Sequence, residues 1–287
     1  MTLSRGARRL LLGAAGLTLA FLYVPLIVIG VDAFSTATTL EWPPPGYTTK
    51  WFGEAIDNPG ARDAFYNSLK AGAAATAIAL VLGTLASLAV SRHRFFGRET
   101  ISFLVILPIA LPGIVTGIAL NSTFTQILGI DLSLFTIVVG HATFCIVVIY
   151  NNAVARLRRL STSFEEASAD LGAHTWQTFR LVTLPNLRSA LVAGALLAFA
   201  LSFDEIIVTT FTAGTGTQTL PLWIFTNLSR PNQLPIVNVV AVLVILISII
   251  PVYFAHRLTR AEGAPAAGKG RGRFEGGGVE AKATAVP

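Results

Sequence analysis

The sequence predicts an all-α membrane protein with six transmembrane helices and a structured loop between the fourth and fifth. Two observations carry this. The 287-residue chain is 53% hydrophobic and 13% charged, against about 25% charged residues in a soluble globular domain. It also contains six apolar runs, each close to the roughly 20 residues a helix needs to cross the hydrocarbon core. They extend from Leu10 to Val31, Leu69 to Val90, Ile101 to Phe124, Leu132 to Val154, Ala190 to Thr212 and Ile236 to Ala255. In lipid each backbone N–H and C=O must be paired within the segment, so continuous runs of this kind form helices. A β-barrel would instead show alternating segments of about 10 residues.

The first run follows Arg5, Arg8 and Arg9 and is too long for the apolar region of a signal peptide, about 7–15 residues. Tyr23 and Pro25 do not form a small-residue cleavage site. It is therefore read as a retained span. Orientation follows from Lys and Arg, which concentrate on the cytoplasmic side. The N-terminus, the second-to-third connection (Arg92, Arg94, Arg98), the fourth-to-fifth connection (Arg156, Arg158, Arg159, Arg180, Arg188) and the C-terminus (Arg257, Arg260, Lys269, Arg271, Arg273) are rich in them. The other connections are poorer. Both termini and the loop at 156–188 are thus expected in the cytoplasm. The net charge of +6 has the same origin. No basic patch interleaved with stacking aromatics suggests nucleic acid. Cys145 is the single cysteine, which excludes an intrachain disulfide.

The chain divides into a cytoplasmic segment 1–9, a six-span domain 10–258 and a tail 259–287. The external segment 32–68 holds Pro43-Pro44-Pro45-Gly46, which bars a helix there. Its Trp42, Trp51, Phe52, Phe65 and Tyr66 suit an interfacial aromatic belt, or a docking surface for an external partner. The tail is rich in Gly and Ala with scattered charge, and is expected to be disordered.

The loop has helix signals of its own. Thr162 with Glu165, or Ser163 with Glu166, matches a capping box. Leu157, Leu160, Phe164, Ser168 and Leu171 recur at helical spacing. Gly172 is placed to end the helix with a positive φ. A second short helix is expected from Thr175, burying Trp176, Phe179 and Val182, with Pro185 separating it from the fifth span. An amphipathic interfacial helix would show similar periodicity.

Further constraints are Glu166-Ala167-Ser168-Ala169-Asp170-Leu171-Gly172, nine residues, and then Val182-Thr183-Leu184-Pro185. This resembles the "EAA" loop of ABC importer permeases: Glu-Ala-Ala, three residues, Gly, nine residues, an aliphatic, any residue, Leu-Pro. Ser168 replaces the second Ala, and Val182 stands where Ile is usual. In that family the loop is the coupling helix, which seats in a cleft of the ATP-hydrolysing subunit. The resemblance implies that Glu166, Ala167, Asp170, Gly172 and Ala173 carry that contact.

Further blocks resemble the second permease of spermidine/putrescine importers over most of residues 10–258. They are Thr49-Lys50-Trp51-Phe52, Asn67-Ser68-Leu69, Leu107-Pro108-Ile109-Ala110-Leu111-Pro112-Gly113, Gly140-His141-Ala142-Thr143-Phe144, Ala155-Arg156-Leu157, Ser202-Phe203-Asp204-Glu205, Thr219-Leu220-Pro221-Leu222 and Val237-Asn238. Such a subunit pairs with a second permease, an ABC ATPase dimer that binds ATP and Mg²⁺, and an extracytoplasmic solute-binding protein. It carries no cofactor itself. Consistent with this, the chain contains no G-x-x-x-x-G-K-[ST] phosphate loop.

Asp204 and Glu205 fall about 24 Å into the fifth span, counting 1.5 Å per residue from Arg188. Carboxylates within a span mark cavities or pathways. They would attract a polyamine, with Phe203, Phe211 or Trp223 adding cation–π contacts. Equally, Asp204 and Glu205 could reach external water or pair with Arg230. His141 could relay protons or hydrogen-bond a neighbouring helix. Pro108 and Pro112 are expected to kink the third span. The favoured reading is an ATP-driven importer permease for a small solute, expectedly a polyamine. The rivals are a proton-coupled secondary transporter using Asp204, Glu205 and His141, an importer permease for another solute, and a membrane scaffold or sensor.

Overall fold

The computed structural model describes residues 4–230 and 232–262. Twelve α-helices are described: α1 (Arg5–Asp32), α2 (Lys50–Asp57), α3 (Pro59–Arg92), α4 (Arg98–Ala110), α5 (Gly113–Ser122), α6 (Leu134–Leu157), α7 (Ser163–Asp170), α8 (Thr175–Thr178), α9 (Leu184–Phe203), α10 (Ile207–Thr212), α11 (Leu220–Leu228) and α12 (Leu234–Glu262). Two π-helical turns, Thr123–Ile127 and Phe179–Thr183, extend α5 and join α8 to α9. Among the described residues there is no β-strand, only an isolated bridge between Ser35 and Tyr47.

Four helical stretches are long and apolar enough to cross a membrane singly: Arg5–Asp32, Pro59–Arg92, Leu134–Leu157 and Thr175–Phe203. The predicted third span is not one rod. It is two helices, Arg98–Ala110 and Gly113–Ile127, meeting at 104°. Leu111 takes an extended conformation (ψ 143°), as a residue preceding proline must, and Pro112 caps α5. Pro108 is accommodated inside α4. The predicted fifth span is also interrupted: α9 ends at Phe203 and helix resumes only at Ile207. The sixth run lies in α12, whose apolar part is described as Leu234–Ile249. That helix continues to Glu262, four residues into the stretch expected to be disordered. The remainder of that expectation, 263–287, lies outside the described residues.

α3, α6 and α9 pack together as the centre of the unit formed by residues 1–248. Small residues make the approach close. α3 buries Ala71, Gly72, Ala75, Thr76, Ala79, Gly83, Thr84 and Ser87. A Cβ placed on Gly83 would sit 2.9 Å from the Ile149 Cβ and 3.0 Å from the Ile146 carbonyl oxygen. Where lipid is as apolar as the side chains, such backbone-to-side-chain fit supplies the packing energy.

A second cluster joins the start of α3 to α11 and α12, with Ala61, Ala64, Leu220, Trp223, Val237 and Val240 buried together. α3 starts at Pro59, ten residues before the predicted span, with the Asn58 side chain accepting from Ala61 N. In the external segment the proline run is non-helical, as expected. Thr36 N and Gly46 O (3.0 Å), and Thr48 N and Phe34 O (2.7 Å), close that excursion. Trp42 and Tyr66 are exposed, and Trp51 donates its indole N–H to Ser35 O at 2.8 Å.

Several sequence blocks meet one another. Ser68 accepts from Leu220 N (2.8 Å), which gives the start of α11 a cap from α3. Asn67 donates to Gln218 O (3.2 Å). Asn238 donates to the Asp32 carboxylate, the one buried residue of α1.

Candidate functional site

The loop between α6 and α9 folds as predicted in outline and differs in its details. α7 starts at Ser163, but no capping box forms. Thr162 is in the helical region and makes no side-chain cap, and Ser161 Oγ accepts from Ser163 N instead (3.2 Å). Glu165 is drawn elsewhere. Its carboxylate meets Arg92 Nε at 3.1 and 3.0 Å and accepts from Thr183 Oγ1 at 3.0 Å. Sequence spacing gave no sign of this brace, because its partners lie 73 and 18 residues away. It ties α7 to the end of α3 and to the π turn before α9.

Gly172 ends α7 with φ +82°. Gly172 N bonds Ala169 O (2.8 Å) and Ala173 N bonds Ser168 O (3.1 Å), the paired bonds of a Schellman motif. The left-handed residue turns the chain away without leaving the last carbonyls unpaired. Glu166, Ala167, Asp170 and Gly172 are exposed and Ala173 is half-buried. Nothing lies within 4 Å of a Cβ on Gly172. All five residues of the predicted coupling set therefore lie on one short element. Apolar positions expected to turn inward stay open as well, with Phe164 60%, Leu171 90% and Trp176 62% exposed. Trp176 stacks on Phe179 with centroids 5.5 Å apart rather than being buried.

The expected separation at Pro185 is absent: helix is continuous from Thr175 to Phe203. The π turn is the reason. Leu184 N reaches back five residues to Phe179 O, and Pro185 occupies the first turn of α9, where its missing N–H is least costly. Below the loop, Leu85, Leu88, Arg92, His93, Trp176 and Phe179 line an open groove of ≈ 620 Å³.

At the other end of this rod is the interruption at 204–206. Asp204 caps α9, its N–H bonding Ala200 O (3.2 Å), and its side chain is exposed. Glu205 is half-buried, and its Oε1 accepts from Val208 N at 2.8 Å. This side-chain bond satisfies an N–H in the first turn of α10 after the break, which a hydropathy reading across 190–212 passes over. Among the described residues neither carboxylate forms an ion pair with Arg230. Phe203 packs between Phe65 and Phe199, at 6.2 and 6.0 Å. Trp223 is 5% exposed in the second core cluster, away from open surface. Phe203, Asp204 and Glu205 lie at the break, and Phe203 also packs against the core cluster that holds Trp223. His141 is fully buried beside the break and bonds Ser202 and Thr209.

Residues 79–261 match the family described as binding-protein-dependent transport system inner membrane component. The putrescine transport system permease protein PotI of Escherichia coli K12 is 33% identical over 232 residues, covering 78% of this chain and 82% of that protein. The spermidine/putrescine transport system permease protein PotC of the same organism is 30% identical over 242 residues, covering 84% and 90%. In fold, the chain is similar to a chain from a bacterial ABC transporter involved in the import of the acidic polysaccharide alginate. The TM-score is 0.68 at 18% identity, over 92% of this chain and 100% of that one. An all-helical fold with a broken span, a Gly-terminated loop and these family matches agree: the chain belongs to the binding-protein-dependent transport system inner membrane components and is a permease subunit of an ABC importer.

Proposed function

We propose that this subunit crosses the bilayer six times, with both termini and the loop at 156–188 on the cytoplasmic side. It forms half of a permease pair with a second permease subunit. An ABC ATPase dimer holds ATP and Mg²⁺ in its own sites and supplies hydrolysis, and an extracytoplasmic binding protein delivers solute. The Lys and Arg distribution supports the orientation. The observation that carries the coupling role is the loop. Glu166, Ala167, Asp170, Gly172 and Ala173 stay available on an element whose Glu165 is pinned to α3 and to the base of α9. A push on the open face is delivered through that brace to the α8–α9 rod.

The solute is a polyamine, the class named for both bacterial relatives. Asp204, exposed at the break, contacts an ammonium group, and the Phe203 face beside it adds a cation–π contact. Glu205 contributes negative potential while holding the break, and Trp223 backs the wall from the core.

The test is ATPase activity of the reconstituted complex, with this subunit wild-type or Gly172→Asp, across a panel of solutes presented with the cognate binding protein. Stimulation by polyamines that vanishes in the variant is the expected result. Stimulation by another solute alone removes the polyamine and keeps the importer. Uptake that follows the proton gradient without any associated ATPase overturns the coupling role.

A further inference from the structure

The interruption between α9 and α10 is spanned by one side chain. His141, on α6, is fully buried. Its Nδ1 lies 2.7 Å from Ser202 Oγ, on the α9 side, and its Nε2 lies 2.8 Å from Thr209 Oγ1, on the α10 side. Proton bookkeeping fixes the roles. Thr209 Oγ1 donates its only proton to the Glu205 carbonyl at 2.9 Å. It must therefore accept from His141, which places the ring proton on Nε2. Nδ1 is then an acceptor, and Ser202 donates to it. The result is a directed chain from Ser202 through the ring to Thr209 and on to the Glu205 carbonyl, with each proton used once. A protonated ring would make Nδ1 a second donor. Ser202, 1% exposed, would then have to accept from it and turn its own proton to another partner.

The surroundings hold the same two pieces. A Cβ on Gly140 would lie 3.2 Å from Val208 Cγ1, Thr136 donates to Thr212 O at 2.7 Å, and Cys145 Sγ lies 3.3 Å from Ala198 O. α6 is thus the common support of both half-helices, and His141 is the point where that support reaches across the gap.

We propose that His141 is a positioning residue: a neutral, Nε2-protonated clamp across the α9–α10 break that sets where Asp204 is held in the transport pathway. The pathway role of Asp204 rests on the function proposed above; the clamp does not. The proton-relay reading of His141 is replaced by a fixed tautomer whose two nitrogens are both committed.

The test uses the full complex with its ATPase in lipid. Ring ¹⁵N spectra at neutral pH should show His141 as a single Nε2-protonated tautomer. A protonated ring or an Nδ1–H tautomer would overturn the proposal without any variant. His141→Phe should speed amide hydrogen exchange across 203–208 at least about tenfold, about 1.4 kcal/mol of opening free energy, and raise the half-saturating solute concentration more than it lowers the maximal rate. His141→Gln, whose amide offers one donor and one acceptor, should restore both to within about twofold. Unchanged exchange in His141→Phe, or no recovery in His141→Gln when that variant assembles normally, would sink the clamp. Faster exchange with unaltered half-saturation would support the clamp and remove Asp204 from the pathway.

Discussion

Both the loop at 161–183 and the break at 202–209 interrupt helices, and they do so by opposite means. The end of α7 is closed by backbone alone, with Gly172 at φ +82° and two main-chain bonds. Nothing lies within 4 Å of a Cβ on Gly172, and Glu166, Ala167 and Asp170 are exposed beside it. The break is closed by side chains: Glu205 caps Val208 N, Thr209 bonds back to Glu205, and His141 joins both sides. A backbone-made end leaves its surface available for another protein. A side-chain-made end is fixed from within and exposes Asp204 and Ile207. The contrast separates a contact surface from an internal joint, although the two lie at opposite ends of the same continuous helix.

Four substitutions would break or sharpen this contrast. Gly172→Asp should have the largest effect. A non-glycine residue in the left-handed region costs about 1–2 kcal/mol, and the added carboxylate stands on the open face. The subunit should remain inserted while ATPase copurification and uptake fall to background; normal assembly and uptake would erase the distinction. Next is Glu165→Lys, which removes a charge-assisted hydrogen bond of about 1.5–3 kcal/mol and opposes Arg92. Uptake should fall more than ATPase binding does, and the pair Arg92→Glu with Glu165→Lys should recover part of it. Equal loss of binding and uptake would make the brace part of the docking surface.

Asp204→Asn should lower uptake of cationic solutes about tenfold, the equivalent of about 1.4 kcal/mol, with membrane expression unchanged. Identical uptake kinetics would make the exposed carboxylate a simple helix cap. The smallest effect is expected for Ser168→Ala. This loses one exposed-side hydroxyl contact with Thr178, at 3.0 Å, and about 0.5–1.5 kcal/mol. Thermal unfolding in detergent should register it while uptake stays near wild-type.

Most of the helical regions and the loop element were legible in the sequence because both rest on local pattern. Apolar runs of sufficient length and a Gly at helical distance from a Ser/Thr start are properties of neighbouring residues. The misses are non-local. The spacing offers Glu165 or Glu166 to the N-terminus of α7, and Arg92 engages Glu165 from 73 residues away. Hydropathy averaged over 190–212 hides an interruption after which one carboxylate caps the resumed helix. Pro112 predicts a kink, while its effect on Leu111 is a 104° turn. Pro185 predicts a stop, and the π turn ahead of it accommodates the missing donor. Trp223, a candidate cation contact by its chemistry, lies buried in the core with Leu220 and Val237.

The π turn at Phe179–Thr183 also acts as a phase setting. It holds one residue more than an α-helical turn would, and everything from Leu184 to Phe203 is rotated accordingly. Restoring α-geometry there with all five residues kept would turn the downstream face by about 100°. Ser202 would then swing away from His141, and the Asp204 end would face elsewhere, while the loop kept its shape. The angular relation between the surface that receives a push and the carboxylate proposed to meet the solute is therefore set by five residues that belong to neither.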